Sequence, residues 1–387
     1  MLQYQTAGES HGPAGVAIVT GVPGGLVVDT DLIDAELRRR QGGYGRGGRQ
    51  RIESDRVEIL SGVRLGRAIG SPITLVVPNK DSRLDDLART PPVHRPRPGH
   101  ADLAGSLKWL TDDCRETLER ASARETASRV AACCIGRLIL RELDIEVFGF
   151  VRSIGSHQTG VCITPENWRT MRDARDASET YCPDPDATEQ QKSAIRQAKI
   201  DKDTLGGLCE AHVFGCPPGL GSSVSWETKL DSRLAGAVMG IQAFKAVEIG
   251  LGKEAAHLPG SRVHDPIVYD ASRRGTPSLG FTRPSNNAGG TEGGMTNGMP
   301  VVVRGAMKPI STLLRGLPSV NLQTLLPEDS QYERSDVCAV SAASVVMENV
   351  VAFEIARAAL EKFAGDTMRE ATTAMASFLE SARRLGP

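Results

Sequence analysis

The chain has 387 residues, room for two average domains or one large one, and either could bury a substantial core. Hydrophobic residues at 40% and charged residues at 24% describe an ordinary globular composition, and 41 glycines signal many tight turns. A formal net charge of -1 argues against a general binder of nucleic acid or of a membrane surface, since either needs a large positive excess. The eight cysteines include no Cys-x-x-Cys pair and no histidine at zinc-ligand spacing, so reduced, mostly buried thiols are expected and no metal site. The opening MLQYQTAGESHGPAG lacks a basic region followed by an apolar core, and no run reaches membrane-spanning length, so a cytoplasmic protein is expected.

In chain order, Val16 to Thr20 is short and β-branched and is followed by Pro23-Gly24-Gly25, which predicts a strand and a turn. Asp29 or Thr30 caps a predicted helix to about Gln41, with Ile33 and Leu37 on its buried side and Arg38, Arg39 and Arg40 in its last turn. A glycine-arginine loop, QGGYGRGGRQRIESD, precedes predicted strands at Arg56 to Val63 and Ile73 to Val77. The prolines of PPVHRPRP, Pro91 to Pro98, enforce an extended segment. Apolar spacing predicts a buried helix from Glu119 through Glu142, then a strand from Ile145 to Ser153.

Pro165 to Lys202 is highly charged with few large apolar residues, which predicts a solvated insertion with one exposed helix around Glu189 to Ala198. A strand at Leu208 to Phe214 and a helix at Leu230 to Ile241 follow. Val340 to Phe363 is the longest helical candidate and is apolar on several sides, hence buried; a more polar helix runs from Asp366 to Arg384. Strands and helices alternate without a repeat, so the class is mixed α and β. One domain over residues 1–387 is expected, with a surface insertion at about 165–202 and a helical tail from about 366.

Three features carry potential chemistry. Ser285 to Thr312, SNNAGGTEGGMTNGMPVVVRGAMKPIST, is a glycine-dense polar loop running into an apolar strand and a Lys-Pro turn. It is either a ligand cradle, with Asn286, Asn287, Thr291, Thr296 and Asn297 facing a polar ligand, or a long hairpin connection. His11 in GESHG and His100 in RPRPGHAD each have an adjacent glycine and an acidic neighbour, Glu9 or Asp102, although a lone histidine is more often structural. His94, His157, His212, His257 and His264 read as structural. Arg40, Arg46, Arg49, Arg51, Arg97, Arg120, Arg124 and Arg334 lie in or beside turns; converging, they would suit a multiply anionic small molecule, and dispersed they are solvated charge. No P-loop, dinucleotide fingerprint or nucleophile elbow is present.

Taken together, the segments resemble the chorismate synthase family along nearly the whole chain. They are GESHG (8–12), GYGRGGRQRIESDRVEILSGV (43–63), RPGHAD (97–102), ERASARETA (119–127), GSSVSWETKLDSRLAGAVMGIQAFKAVEIG (221–250), SNNAGGTEGGMTNG with KPIST, and RSDVCAV (334–340). The resemblance implies an α+β fold, a β-α-β sandwich with helices packed between two antiparallel sheets, assembled as a homotetramer. It implies a carbon-oxygen lyase that converts 5-enolpyruvylshikimate 3-phosphate to chorismate by 1,4-anti-elimination of phosphate. This last step of the shikimate pathway to aromatic amino acids uses reduced FMN without net oxidation.

By motif, FMN contacts carry over to Arg120, Ala121, Ser122, Gln242, Ala243, Gly293, Lys308, Pro309, Ile310, Ser311, Thr312 and Arg334. Arg40 and Arg46 match NADP or anion contacts, with NADPH as an external reductant, and His11, Arg46 and Arg124 match the substrate site. His11 is then expected to stabilise the departing phosphate and His100 to keep the flavin correctly protonated. Asp336 either helps take the ring proton or caps the helix after it. A flavin reductase is the rival enzyme reading; an RNA-binding reading is opposed by 4% aromatic content and the near-zero charge.

Overall fold

The computed structural model describes residues 1–47, 54–330 and 336–385. Strands β1 (Gln3–Ala7), β2 (Ala14–Thr20), β3 (Glu58–Ser61) and β4 (Ile73–Pro78) form an antiparallel sheet in the order β1-β2-β4-β3. Period-two alternation turns Ala17, Val19, Ile73, Leu75 and Val77 to its buried face. A second antiparallel sheet contains β5 (Glu146–Ile154), β6 (His157–Gln158), β7 (Gly207–Phe214), β8 (Phe244–Ile249) and β9 (Val301–Met307), ordered β8-β9-β7-β5-β6. The polar β1 and the mixed β8 carry no strong strand pattern and escape the sequence reading.

Helices fill the space between the sheets, giving the expected sandwich. Helix α1 spans Thr30–Gln41 and is capped by Asp29, whose Oδ1 accepts from Leu32 N at 3.2 Å. The predicted continuous helix at 119–142 is instead three pieces. Helix α2 (Asp102–Trp109) precedes the run, which comprises the end of helix α3 (Arg115–Ala121), a short 3₁₀ turn at Ala123–Glu125, and α4 (Thr126–Glu142). Ser122 breaks the run: it is extended at φ -60 and ψ 142, and its hydroxyl accepts from Arg124 N. Helix α4 lies on β1, β2 and β4, while the 23-residue α8 (Val340–Lys362) lies on β5, β7 and β9 and packs along α4. The two helices approach closely at Gly136, where a Cβ would stand 2.7 Å from Phe353 Cα.

The charged insertion also differs from expectation. It forms two helices, α5 (Trp168–Ala177) and α6 (Pro185–Ile200), each with a buried side: Trp168, Arg175, Gln191 and Ile195 are all at most 3% exposed. Hydropathy misses this because two of the anchors are polar, with Gln191 accepting from Thr180 Oγ1 at 2.7 Å and Arg175 reaching the interior. Helix α7 (Leu230–Met239) packs on β8, and α9 (Met368–Arg383) ends the described chain behind a Thr367–Glu370 capping box. None of the eight cysteines forms a disulfide, and all but Cys162 are buried. Among the described residues, no helix is long and apolar enough to cross a membrane.

At the centre of the helical layer sits Glu348 of α8, with no solvent exposure. Arg39 of α1 (2.8 Å), Arg137 of α4 (3.1 Å) and Arg175 of α5 (3.1 Å) all reach its carboxylate. A second buried carboxylate, Glu36, pairs with Arg39 at 2.7 Å and accepts from Asn349 at 2.8 Å. Burial pushes the Glu348 carboxyl up, but the Arg39, Arg175 and Arg137 guanidinium groups outweigh it and hold the group well below the ordinary carboxylate range. Glu348→Ala should therefore destabilise the fold by about 3–5 kcal/mol, because three buried cations lose the carboxylate they share, read as a lower midpoint in chemical denaturation. Since the folded-state pKa is depressed, the stability that Glu348 contributes is complete above the ordinary carboxylate range and is lost as pH falls through and below it. A denaturation midpoint in the parent that does not fall on acidification would contradict this.

Candidate active site

The turn after β1 places His11, and its shape depends on Gly8 at φ +104, where a Cβ would lie 2.3 Å from Ala14 O. His11 is buried, and its carboxylate partner is Glu119 of α3, not the adjacent Glu9: Nδ1 lies 2.8 Å from Glu119 Oε1. The same carboxylate accepts from His11 N at 2.8 Å, and Arg115 Nη1 stands 3.2 Å from it. Burial pushes Glu119 up, but the bonds from the His11 ring and backbone and from Arg115 bring it below its usual value. On the other side of the ring, Arg83 Nη2 is 3.3 Å from His11 Nε2.

The break at Ser122 aims several side chains at this turn. The Ser122 hydroxyl donates to Ser10 Oγ at 3.2 Å, and Arg124 Nε donates to Asn79 Oδ1 at 2.8 Å. Asn79 in turn donates to Gly12 O at 2.8 Å. Arg124 also pairs with the buried Asp55 at 2.7 Å, and Arg40, at the end of α1, approaches the same carboxylate at 3.5 Å while binding Thr126 Oγ1 and Ala123 O. Arg46 and Asp336 also meet, at 2.6 Å, and Asp336 accepts from Gly47 N. The alternative role for Asp336 as helix cap is not realised: the N-cap of α8 is Ala339, with no side-chain bond.

A second cluster joins the expected cofactor positions. Arg120 is exposed and binds Thr6 O at 2.8 Å and Gly8 O at 3.3 Å, with Ala121 and Ser122 half-buried beside it. Thr6 Oγ1 donates to Glu125, which also accepts from Gln242 Nε2 at 3.0 Å and pairs with Arg129. Gln242 Oε1 is buried and meets no donor among the described residues, so it suits an N–H of a bound heterocycle such as the flavin imide. The next residue, Ala243, holds φ +69, a conformation that an alanine adopts only under constraint, and its carbonyl accepts from Lys308 N at 2.9 Å. Burial lowers the Lys308 pKa, and the nearby Lys245 cation lowers it further, so the pair is receptive to an anion such as a phosphate.

The KPIST turn continues to His100. Lys308 Nζ donates to Gly99 O at 2.5 Å, Ile310 O accepts from Thr204 Oγ1, and Thr312 Oγ1 accepts from Arg97 Nη1 at 3.1 Å. Pro309 is exposed and Ser311 half-buried. Arg97 grips the fully buried Asp102 at 2.8 Å, and Asp102 holds His100 through Nδ1. Burial pushes Asp102 up, yet His100 and Arg97 hold it far below the normal range. His100 thus repeats the arrangement at His11, an imidazole held by a carboxylate that an arginine also holds.

Gly293 lies elsewhere. Exposed Gly293 and buried Gly294 form the two-residue tip of a hairpin between Thr291–Glu292 and Met295–Thr296, both glycines at positive φ. The polar side chains of that loop are largely spent on its own framework. Asn286 binds Pro300 O and Gly290 N, Asn287 binds Val263 O, and Thr296 binds Pro217 O and Leu220 N. The hairpin reading therefore describes residues 285–300. Arg334, Arg49 and Arg51 lie outside the described residues. Glu119, Arg83, Asn79, Asp55 and Glu125 carry no local signal as site residues: Glu119 and Glu125 fall inside ERASARETA, but His11, Thr6 and Gln242, the groups they hold at the site, are distant in sequence. Clustered cations, two oriented histidines and a buried acceptor together suit acid-base chemistry on a multiply anionic substrate beside a phosphorylated heterocycle.

Comparison with known proteins supplies the lineage. A family model described as chorismate synthase matches residues 2–360. Proteins named chorismate synthase share 52% identity in Desulforudis audaxviator over 99% of this chain and 98% of the relative, and 53% in Desulforamulus reducens over 96% of each. The Geobacter sulfurreducens protein of that name is 50% identical over 99% of this chain and all of its own. A crystal structure of chorismate synthase superposes with a TM-score of 0.81 at 40% identity, covering 99% of this chain and 98% of that one. Identity at this level, from one end of the chain to the other and with the same fold, means that the chain belongs to the chorismate synthase family.

Proposed function

We propose that the protein converts 5-enolpyruvylshikimate 3-phosphate to chorismate by 1,4-anti-elimination of phosphate, as a carbon-oxygen lyase dependent on reduced FMN. The observation that carries the residue assignment is the pair of carboxylate-held histidines, His11 beside Arg83 and His100 beside the KPIST turn. The substrate is a phosphate ester with two carboxylates, for which Arg124 and Arg46 are suited by bidentate geometry. His11 stabilises the departing phosphate through its Nε2 edge. His100 holds a proton near the cofactor. Asp336 takes the ring proton once Arg46 turns from it to the anionic substrate, since the Arg46 cation otherwise competes for its oxygens.

FMN would be held by Arg120, Ala121, Ser122, Gln242, Ala243, Gly293, Lys308 to Thr312 and Arg334, the buried Gln242 oxygen accepting from the ring and Lys308 facing the phosphate. When bound and reduced, it supplies transient electron donation that weakens the carbon-oxygen bond. Arg40 is buried and engaged by Thr126, Ala123 and Asp55, which favours a role in joining α1 to the start of α4 over NADP contact. NADPH then serves only as an external reductant. Cytoplasmic location and a homotetramer complete the reading; the exposed Leu107, Trp109 and Leu110 beside α2 are the kind of apolar surface that assembly covers.

His11→Ala and His100→Ala should each lower kcat by about 100-fold or more while FMN still binds, measured by steady-state assay and flavin fluorescence titration. A rate near the parent's in either variant removes that histidine from the chemistry. Oxidised FMN without a reductant should yield no chorismate, and product formed under those conditions would contradict the proposed cofactor dependence.

A further inference from the structure

We infer that Glu119 is the positioning residue for His11, fixing its imidazole in the tautomer protonated at Nδ1 so that Nε2 is the atom that exchanges a proton or hydrogen bond with substrate. The inference rests on the proposed role of His11 in the elimination. It is drawn from groups that have no choice of hydrogen-bonding role. Glu119 is 3% exposed, and the bonds it receives keep its carboxylate ionised. An ionised carboxylate only accepts, so the ring nitrogen 2.8 Å from Oε1 must carry a proton. On the opposite side a guanidinium only donates, so Nε2, 3.3 Å from Arg83 Nη2, presents its lone pair. Among the described residues, the charged groups around the ring are Glu119 and Arg115 on α3, and Arg83 with its partner Asp81 on the segment after β4.

Charge and shape are both required at position 119. One carboxylate serves the His11 backbone N–H at 2.8 Å and the His11 ring, and also faces Arg115 at 3.2 Å. It fixes the main chain and the side chain of one residue together. An amide in its place has one acceptor oxygen for three donors, and its NH₂ favours an imidazole that accepts at Nδ1, which moves the proton to Nε2. Ser10 N binds the carbonyl of the same glutamate at 2.9 Å, so residues 10 and 11 are docked on one residue of α3.

The test is nitrogen-15 NMR of histidine-labelled protein, with the His11 signals identified by their loss in His11→Ala. In the parent, His11 should show a protonated Nδ1 and an unprotonated Nε2; the opposite tautomer overturns the inference without any substitution at position 119. Glu119→Gln should shift the ring toward the Nε2-protonated form and lower kcat by about 100-fold with KM changed less than about threefold. Glu119→Asp, which keeps the charge, should recover at least about tenfold of that loss. The double variant His11→Ala/Glu119→Gln should be no slower than His11→Ala. An unchanged tautomer or a kcat within about twofold of the parent in Glu119→Gln overturns the inference, as do losses that multiply in the double variant. If His11→Ala alone keeps the parent rate, the catalytic role of His11 fails, and the ring tautomer still decides what Glu119 does.

Discussion

An ionised carboxylate buried among helices is the constraint on which the rest of this molecule depends. Glu348 sits on α8, and the cations that answer it come from α1, α4 and α5, each entering from a different direction. Net stability from such a network is modest, because desolvation offsets most of the Coulomb gain. The penalty for disturbing it is large, since any slide of one helix along another leaves buried charge without a partner. Close approach tightens the same point: a Cβ on Gly149 of β5 would lie 2.6 Å from Glu348 Cβ, so the second sheet lies directly against the charged cluster.

The site inherits its geometry from that layer. Arg39 and Arg40 are neighbours at the end of α1, yet the first points into the core network and the second reaches Asp55, Thr126 and Ala123 beside the start of α4. The first turn of α4 and the last turn of α1 are thus joined at the point where Arg124 emerges. On one side α3 carries Arg115, Glu119 and Arg120 to the strand-end turn at residues 6–11. On the other, Ala243 and Lys308 tie the ends of β8 and β9 to the His100 turn. His11 and His100 are both held by carboxylates, but the holders differ in origin, one distant in sequence and one two residues away.

That difference explains what was legible in the sequence. Local rules were enough for α1 with its Asp29 cap, for α8 with its all-round apolarity, and for the extended proline segment before His100. Asp102 could be noticed as the acid for His100 because it is nearby in the chain. The equivalent for His11 could not, because Glu119 is 108 positions away and Glu9, the obvious neighbour, is not used. Arg175 and Gln191 defeated the hydropathy reading of residues 165–202 because a charged or amide side chain can anchor a helix when its partner waits inside the fold. The polar loop at 285–300 misled in the opposite sense: its asparagines and threonines resemble ligand groups, but the loop needs them to satisfy its own backbone. Family motifs named the residues, and only three dimensions showed which side chains hold which.

The break at Ser122 has a consequence for how the chain tolerates changes in length. Residues 115–121 face the turn that carries His11, while residues from 126 onward are locked into the core by α4, so the short link between them sets the phase of one helix against the other. One residue inserted or removed in that link would displace α3 against α4 and carry Glu119 and Arg115 off the His11 turn while leaving the core intact. The link therefore acts as a ruler whose length cannot drift, even though its first two residues, Ser122 and Ala123, are small and partly solvated.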